Sequence, residues 1–586
     1  MLTPSHPAYK FGDFRILPSD KQLLRDGKGV PLAPKVFDTL LLLVESQGRL
    51  VEKEEFLKRV WRDSFVEDVA LAHAISQLRK VLRNSVDEPE YIKTVPKRGY
   101  RFVRPVEVIR PESGGAPSRL ILAVLPFENL GADLEREYLA DGLTEEVIAA
   151  LGQIAPEYLG VIGRTSMMAY KGTRKPLSEI AGELNAAFLV ESSLRTEGAR
   201  VRITSRLIRA SDQIQIWSES YDSEPSSLIG FQRELSVAIA QEVKLRLSPG
   251  QLNGLARRQT RNVEAYDLYL RGRYFWNQLS PQTTRRAVEF YIRATELDPD
   301  YALAWSGLAD AFAASPINGD ACPLQMGPRA RAAADRAVAA APDLAQVQAS
   351  SGLIKFWLDW DWPAAETAFR TAIALDPSYS MAHRTLGIVL SSMKRRQEAL
   401  STVRRARELD PLDYVHQALS AQIAFDSGDY PSAVEFARQA NVLDPEFWVG
   451  YYQLAQACQE LGESDLALDA LQKAGLFGGG NSKVLSLRGY ILAKLGRHGE
   501  AREVLKTLEA VSHDRYLPPY ARALVHAGLG ERDAALEWLN RAYDAHDVHL
   551  VLLTMDPKWE TFRSDDRFLA VINRCGFTAG SPRDTA

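Results

Sequence analysis

Residues 66–82, VEDVALAHAISQLRKVL, and residues 91–102, YIKTVPKRGYRF, decide the fold of the first hundred residues. In the first stretch, Leu71, Ile75 and Leu78 recur at the spacing of one face of an α-helix. The second stretch has the composition of two short strands joined by a glycine-containing turn. Short alternating segments and two more helical patterns precede them. This order predicts a small α+β domain in which three helices are closed by a β-hairpin.

The helix predicted from the spacing of Leu71, Ile75 and Leu78 carries polar side chains opposite its apolar residues. Gln and His side chains can hydrogen-bond base edges in the major groove of DNA, whereas Arg, Lys and Ser mainly hold phosphate oxygens. The helix supplies His73, Ser76, Gln77, Arg79, Lys80 and Arg83, and the hairpin turn adds Lys97 and Arg98. This arrangement predicts contact with double-stranded DNA. The alternative is an ordinary amphipathic helix beside a basic surface hairpin.

The charge distribution favours the DNA interpretation. Residues 1–106 carry 19 Lys and Arg against 14 Asp and Glu, a net charge of +5. The whole chain of 586 residues has a net charge of −4, so the remaining residues carry −9. A basic segment on an acidic chain is a candidate contact for a polyanion.

The two quoted stretches resemble the effector domain of the OmpR/PhoB family of bacterial regulators, and in particular its CadC-like one-component members. The resemblance covers residues 9–104 and includes the order of strands, helices and hairpin. It implies a winged helix-turn-helix DNA-binding domain over 1–106 that binds promoter DNA, with two copies pairing as a homodimer on tandem half-sites. No receiver domain precedes the winged helix, so regulation independent of a phosphorelay is expected.

The same resemblance assigns roles to individual positions. His73 and Gln77 match residues that face bases in the family. Four further positions match residues that contact phosphates in the family: Trp61, Ser76, Arg79 and, in the hairpin, Thr94. A minor-groove arginine of some members falls on a proline here, so that role passes to Lys97 or Arg98. The predicted DNA-contacting set is Trp61, His73, Ser76, Gln77, Arg79, Lys80, Arg83, Thr94, Lys97 and Arg98.

A linker is predicted over 107–118, and a mixed α/β domain over 119–247. The stretches AVLPFEN at 123–129 and YLADGLTEE at 138–146 resemble a module related to the TolB amino-terminal domain, which is found between such output domains and tetratricopeptide repeats. A candidate ligand or metal set consists of Asp141, Glu145, Glu146 and Arg164. Acidic residues at a helix start also complement the helix macrodipole, and this structural interpretation is preferred.

From residue 262 onward the patterns are helical and repeat. Leu375-Asp-Pro, Leu409-Asp-Pro and Leu443-Asp-Pro stand 34 residues apart. This period resembles tetratricopeptide repeats and predicts an all-α solenoid over 262–575, with seven to eight helix pairs. Pro should end each second helix, Asp should cap the next helix, and a capping helix is expected from Asp556. The concave surface of such a solenoid implies a protein or peptide partner.

Several classes of protein are disfavoured. Cys322, Cys458 and Cys575 lie far apart, which argues against a disulfide framework or a cysteine-based zinc site. No signal peptide and no membrane-spanning apolar run are recognisable, so a cytoplasmic protein without a membrane partner is expected. No catalytic motif is present, and neither a cofactor nor a metal is expected. Trp357, Trp360 and Trp362 are expected to pack between repeats rather than to line a groove.

The preferred function is that of a soluble one-component transcriptional regulator. It would bind promoter DNA sequence-specifically through its winged helix, with the repeats or the middle domain receiving a signal. The alternative is a scaffold whose repeats assemble proteins and whose winged helix makes protein contacts only. An enzyme built on the middle domain is a third and weaker interpretation, because the sequence lacks a catalytic constellation.

Overall fold

A computed structural model gives the structure of the protein. The described residues are 8–17, 22–25, 28–30, 32, 34–46, 48–60, 68–82, 90–96, 98–109, 119–131, 136–154, 156, 158–197, 200–223, 229–243, 260–318 and 321–577. Internal contacts divide the chain into two compact units, Met1–Ser118 and Arg119–Ala586.

The first unit is a winged helix built from two small sheets and three helices. Its elements are β1 (Ala8–Phe11), β2 (Phe14–Leu17), β3 (Gln22–Arg25), β4 (Lys28–Val30), α1 (Pro34–Glu45), β5 (Val51–Glu52), α2 (Lys53–Val60), α3 (Asp68–Leu82), β6 (Ile92–Val95), β7 (Gly99–Phe102) and β8 (Glu107–Ile109). One sheet has the order β4-β3-β2-β1-β8, and the other has the order β5-β7-β6. The strands β6 and β7 form the hairpin, or wing.

The apolar face of α3 holds this unit together. Leu71, Ile75 and Leu78 are at most 1% exposed and belong to one core with residues of α1 and the aromatic side chains of Phe11 and Phe102. Burying a large aliphatic side chain contributes about 1.5–3 kcal/mol. The opposite face of α3 therefore remains available for other contacts.

Residues 107–109 belong to the sheet and not to the linker expected over 107–118. Strand β8 pairs antiparallel with β1, with Tyr9 opposite Val108. Strand β1 would otherwise present an edge of unpaired backbone groups, and β8 satisfies them.

The second unit begins with a six-stranded mixed sheet flanked by helices. Its elements are β9 (Leu120–Val124), β10 (Glu128–Asn129), α4 (Glu137–Ile154), β11 (Leu159–Val161), α5 (Arg164–Met168), α6 (Leu177–Leu184), β12 (Phe188–Glu197), β13 (Arg200–Arg209), β14 (Ile214–Ser223) and α7 (Phe231–Glu242). The strand order is β11-β9-β12-β13-β14, and β10 pairs with β12. The pairs that join β11, β9 and β12 are parallel, and β12, β13 and β14 are antiparallel.

Eight antiparallel helix pairs follow within the described residues. Their helices are α8 (Val263–Trp276), α9 (Pro281–Leu297), α10 (Ala302–Asn318), α11 (Pro323–Ala340), α12 (Ala345–Ile354), α13 (Trp362–Leu375), α14 (Ser380–Ser392), α15 (Arg396–Leu409), α16 (Tyr414–Asp426), α17 (Tyr430–Leu443), α18 (Trp448–Glu460), α19 (Ser464–Phe477), α20 (Ser482–Lys494), α21 (His498–Asp514), α22 (Pro519–Gly528) and α23 (Arg532–Asp544). A π-helical turn, Lys355–Asp359, extends α12. The helical repeat predicted from the Leu-Asp-Pro spacing is confirmed.

The Asp of the Leu-Asp-Pro motif closes the turn between repeats, so the expectation that it caps the next helix is wrong. The carboxylates of Asp298, Asp376 and Asp444 each accept a hydrogen bond from the amide two residues further on, at 3.1, 2.9 and 2.9 Å. The following proline gives the turn its rigidity. The fourth such residue, Asp410, has different partners and is described below.

The end of the chain differs from the single capping helix expected from Asp556. A 3₁₀ helix, Pro557–Phe562, is followed by α24 (Asp566–Arg574). The break occurs because the Asp565 side chain accepts from the amide of Arg567 and starts a new helix there.

Trp360 and Trp362 of the third repeat pack inside the second unit as predicted, whereas Trp357 is half-buried and also lines the cavity described below. Trp360 and Trp362 are at most 9% exposed, and Trp357 packs against the same cores. The Trp360 ring stacks on His546 with 3.9 Å between ring centroids. This contact joins the third repeat to the end of the eighth.

The α/β part and the repeats share one core. Leu143 and Val147 of α4 are fully buried together with Leu270 of α8 and Tyr291 of α9. A Cβ atom at Gly142 would lie 2.8 Å from Leu270 Cδ2, so a larger residue here would displace the Leu270 side chain. The α/β part is therefore an integral partner of the first repeats.

Candidate nucleic-acid interface

The solvent-facing side of α3 carries the polar residues predicted to contact DNA. His73, Ser76, Gln77 and Lys80 are all exposed, whereas Ala74 between them is buried. Gln77 Nε2 lies 3.0 Å from His73 Nε2, so the two side chains are neighbours one helical turn apart. The structure brings these four residues together on one face.

Arg79 links α3 to the wing. Its Nε and Nη2 donate to the carbonyl oxygen of Ile92 at 3.2 and 2.8 Å, and Nη2 also donates to the Thr94 hydroxyl at 2.8 Å. Glu90 lies 3.4 Å from the same nitrogen. The family resemblance predicts that Arg79 and Thr94 contact phosphates, but the sequence did not indicate this bridge. The contacts join residues that are 13 and 15 positions apart and belong to different elements.

The tip of the wing presents Arg98 to solvent. Arg98 is exposed, with a loose ion pair to Glu52 at 3.6 Å. Its backbone is fixed because its amide donates to Val95 and its carbonyl accepts from Lys53. A Cβ atom at Gly99 would lie 2.0 Å from the Val51 carbonyl oxygen, so glycine is required where β7 pairs with β5.

Trp61, Arg83 and Lys97 lie outside the described residues. Of the ten predicted contact residues, the other seven are divided between the exposed face of α3, the Arg79 bridge and the wing. Their roles towards DNA stay predictions.

The second candidate set, in the α/β part, is divided between separate hydrogen bonds and ion pairs. Asp141 is paired with Lys171 at 2.5 Å, and Glu146 accepts from the Tyr266 hydroxyl at 2.5 Å. Burial raises the pKa of Glu146 to about 7. These two residues have separate structural partners.

Glu145 and Arg164 do form an ion pair, but two residues of the first repeat also bind Glu145. Arg164 Nε lies 3.2 Å from Glu145, which also accepts from the Arg273 guanidinium and, at 3.0 Å, from the Asn277 amide. Burial alone would raise the pKa of Glu145, but Arg273 and Arg164 outweigh it and the pKa is lowered. Arg273 and Asn277 stand more than a hundred residues further along the chain, and no local sequence signal could have indicated them.

Family models match three consecutive parts of the chain. Residues 27–102 match the model described as "Transcriptional regulatory protein, C terminal". Residues 118–237 match "HilA/YgeH-like transcriptional regulator, second domain". Residues 361–414 and 385–446 match "Tetratricopeptide repeat".

Similar proteins include regulators of transcription. The "Transcriptional regulator HilA" of Salmonella typhimurium is 25% identical over 411 residues, which is 70% of this chain and 71% of that protein. The "Transcriptional activator CadC" of Escherichia coli is 36% identical over 109 residues, 18% of this chain and 21% of that protein. The solved DNA-binding domain of E. coli CadC is 35% identical and covers 18% of this chain and 99% of that one, with a TM-score of 0.17. Among the described residues, no helix is both long and apolar enough to cross a membrane.

Proposed function

We propose that this transcriptional regulator, which carries an OmpR/PhoB-type DNA-binding domain, a HilA-like second domain and tetratricopeptide repeats, binds promoter DNA sequence-specifically through its winged helix. The observation that carries the proposal is the division of α3 into a buried apolar face and an exposed face of His73, Ser76, Gln77 and Lys80. A recognition helix needs this division, because one face must pack while the other enters the major groove.

The roles within this surface follow from the chemistry of the side chains. Gln77 and His73 hydrogen-bond base edges, and Ser76 and Lys80 hold phosphate oxygens. Arg98 at the tip of the wing reaches the neighbouring groove, together with Lys97. Trp61, Arg79 and Thr94 add phosphate contacts, as the family resemblance implies, and Arg83 adds another through its charge.

The salt dependence of binding distinguishes this function from that of a protein scaffold. The full chain is titrated against a mixed-sequence duplex at several salt concentrations, and log K should fall with log salt by about 0.9 for each phosphate contact. Lys80→Ala should reduce the magnitude of that slope by about 0.9, the value expected for one phosphate contact. Lys10→Ala, an exposed cation of β1, is the matched control and should leave it unchanged. Failure to bind any duplex at low salt would instead favour the scaffold.

Two copies of the chain bind DNA together. The OmpR/PhoB resemblance supports pairing on tandem half-sites, which in dimeric helix-turn-helix proteins lie about 10–10.5 base pairs apart. Native mass spectrometry on a duplex with two such half-sites should record two chains per duplex. One chain per duplex at saturation would contradict the homodimer.

The repeats receive the signal, by binding a protein or peptide partner in the cytoplasm. The tetratricopeptide match supports protein contacts in this region. Promoter regulation in a purified transcription system should therefore require an added partner protein. Full regulation by the chain and polymerase alone would contradict this part of the proposal.

A further inference from the structure

Described residues of the second unit line a partly open cavity of about 880 Å³. Glu145 and Arg164 line it from α4 and α5, and Arg273, Asp310, Arg384 and His416 line it from α8, α10, α14 and α16. The α/β part therefore covers one side of a chamber whose other side is made by the first helices of several repeats. Pockets of about 300–1,000 Å³ are typical of small-molecule sites.

Three guanidinium groups of the cavity wall have two carboxylates as ion-pair partners. Arg164 and Arg273 share the single carboxylate of Glu145. Arg384 has only a distant ion pair, at 3.7 Å, with Asp413. One oxygen of Asp413 accepts from the amides of Val415 and His416 at the start of α16, and its other oxygen faces Arg384 and, at 3.2 Å, His416 Nδ1. Guanidinium groups are strong hydrogen-bond donors to an anionic ligand group.

Five buried polar atoms of the wall have no hydrogen-bond partner among the described residues. Arg164 Nε is one of them and lies 3.2 Å from Glu145 in an ion pair. The other four are Nε of Arg273, Nε of Arg384, Oδ1 of Asp310 and Nε2 of His416. Asp310 and His416 are 6% and 1% exposed. Leaving such atoms unpaired is costly, and each one is a place where a ligand can supply a partner.

Three of these groups influence the same tyrosine of the cavity wall. Burial and the nearby charge of Asp310 raise the pKa of Tyr379, while Arg273 and Arg384 act to lower it. All three charged groups therefore lie within electrostatic reach of one phenol, which itself lines the cavity. Arg273, Asp310 and Arg384 therefore belong to one region of the cavity wall.

A metal ion does not fit this wall. Asp410, Asp413 and His416 lie close enough together to suggest a cation site. However, Asp410 Oδ2 accepts from the Thr165 amide and Oδ1 accepts from Ser166. With Arg384 beside Asp413, a further positive charge would be repelled.

We propose that this cavity binds a small carboxylic acid that also carries a hydroxyl or amino group. The ligand carboxylate accepts hydrogen bonds from Nε of Arg273 and Nε of Arg384, and the hydroxyl or amino group donates to Oδ1 of Asp310. His416 Nε2 supplies a further contact whose direction depends on its tautomer. Such a ligand would bind where the α/β part meets the repeats. The site goes beyond the proposed function, since it does not depend on DNA binding.

Calorimetric titration of the full chain without DNA tests the proposal. The probes are L-malate, L-glutamate and, as a cation of similar length, 1,4-diaminobutane. At least one of the two acids should bind saturably below about 10 mM, and the diamine should not. Arg384→Gln should weaken acid binding by about tenfold or more. Arg541→Gln is the matched control, because Arg541 pairs on the surface with Glu537.

A second variant, at Asp310, provides an independent test in case the Arg384→Gln protein does not fold. Asp310→Asn should also weaken binding of the acid, because the Asp310 acceptor is altered while the arginines remain. Circular dichroism and thermal unfolding of both variants establish that they are folded. No acid binding up to about 10 mM, binding of the diamine, or unchanged affinity in both folded variants would overturn the proposal.

Discussion

Gln77 stands at the centre of the exposed face of α3, with its amide held beside the His73 ring at 3.0 Å. A bidentate contact from such an amide to a base discriminates against the wrong base by about 1–3 kcal/mol. Gln77→Ala should therefore change the preference at one base pair by that amount and leave affinity for unrelated duplexes nearly unchanged. Competition assays with single-base variants of the preferred site measure this. Equal loss on every duplex would contradict a base-reading role, and Lys10→Ala serves as the control.

Asp426 makes the stability of the second unit depend on pH. Its side chain accepts from Gln422 at 2.7 Å and Ser391 at 3.4 Å, yet burial raises its pKa to about 7. The pKa in the unfolded chain is about 3.9. Between these two values the folded state binds more protons than the unfolded state, so the free energy of unfolding falls as the pH rises.

Asp426→Asn should remove this contribution. Relative to the wild type, the variant should gain up to about 1.4 kcal/mol of stability per pH unit between about pH 5 and 7. Urea unfolding of both proteins at several pH values in this range measures the difference. A difference that stays constant with pH would contradict the assignment.

At the level of elements, Arg79 holds the wing against α3. Lys keeps the positive charge but cannot donate the paired hydrogen bonds that the guanidinium makes to Ile92. Arg79→Ala and Arg79→Lys should therefore both speed hydrogen exchange of the β6 amides, consistent with a loss of about 1.5–3 kcal/mol of local stability. Both should also weaken binding to all duplexes. If Lys restores wild-type exchange and affinity, Arg79 acts only as a charge.

Asp410 joins the repeats to the α/β part through the start of α5. Its carboxylate accepts from the amides of Thr165 and Ser166 at 3.2 and 2.7 Å, and the Gly163 amide donates to the Leu409 carbonyl at 2.8 Å. A Cβ atom at Gly163 would lie 2.4 Å from the Asp410 carboxyl group, so glycine is needed here. The Leu-Asp-Pro turn of this repeat therefore caps a helix in another part of the unit.

Substitution of Asp410 should cost more than substitution of its equivalent 34 residues later. Asp410→Ala leaves buried donors of α5 unpaired and should lower the free energy of unfolding by about 2–4 kcal/mol. Asp444→Ala removes only a turn hydrogen bond and should cost about 0.5–1.5 kcal/mol. Urea midpoints of the two variants make the comparison. Equal midpoints would show that the contact with α5 does not stabilise the unit.

Elements were predictable where a local pattern determines them. The apolar spacing of Leu71, Ile75 and Leu78 was sufficient to place α3, and the 34-residue period was sufficient to place the repeats. The bridge from Arg79 to Ile92 and the contact from Asp410 to Ser166 were not predictable. Both depend on tertiary packing of separate elements, and side-chain type and spacing do not encode which distant backbone group will lie nearby.

At the scale of the whole molecule, the two compact units determine where the chain can be truncated without exposing a hydrophobic core. A cut after residue 261 would separate α4 from α8 and expose Leu143, Val147 and Leu270, which are buried together. Their exposure would destabilise the remaining α/β part, since each buried side chain contributes about 1.5–3 kcal/mol. A cut after Ser118 follows the boundary between the two units and leaves the core of the winged helix intact.

The most direct test of the central claim is selection of bound sequences from a random duplex pool by the full chain. The expected result is an enriched motif that the protein binds at least about 10³-fold more tightly than a scrambled duplex at physiological salt. Gln77→Ala should select a motif altered at one position. Binding that is equally strong on enriched and scrambled duplexes would contradict sequence-specific recognition through α3.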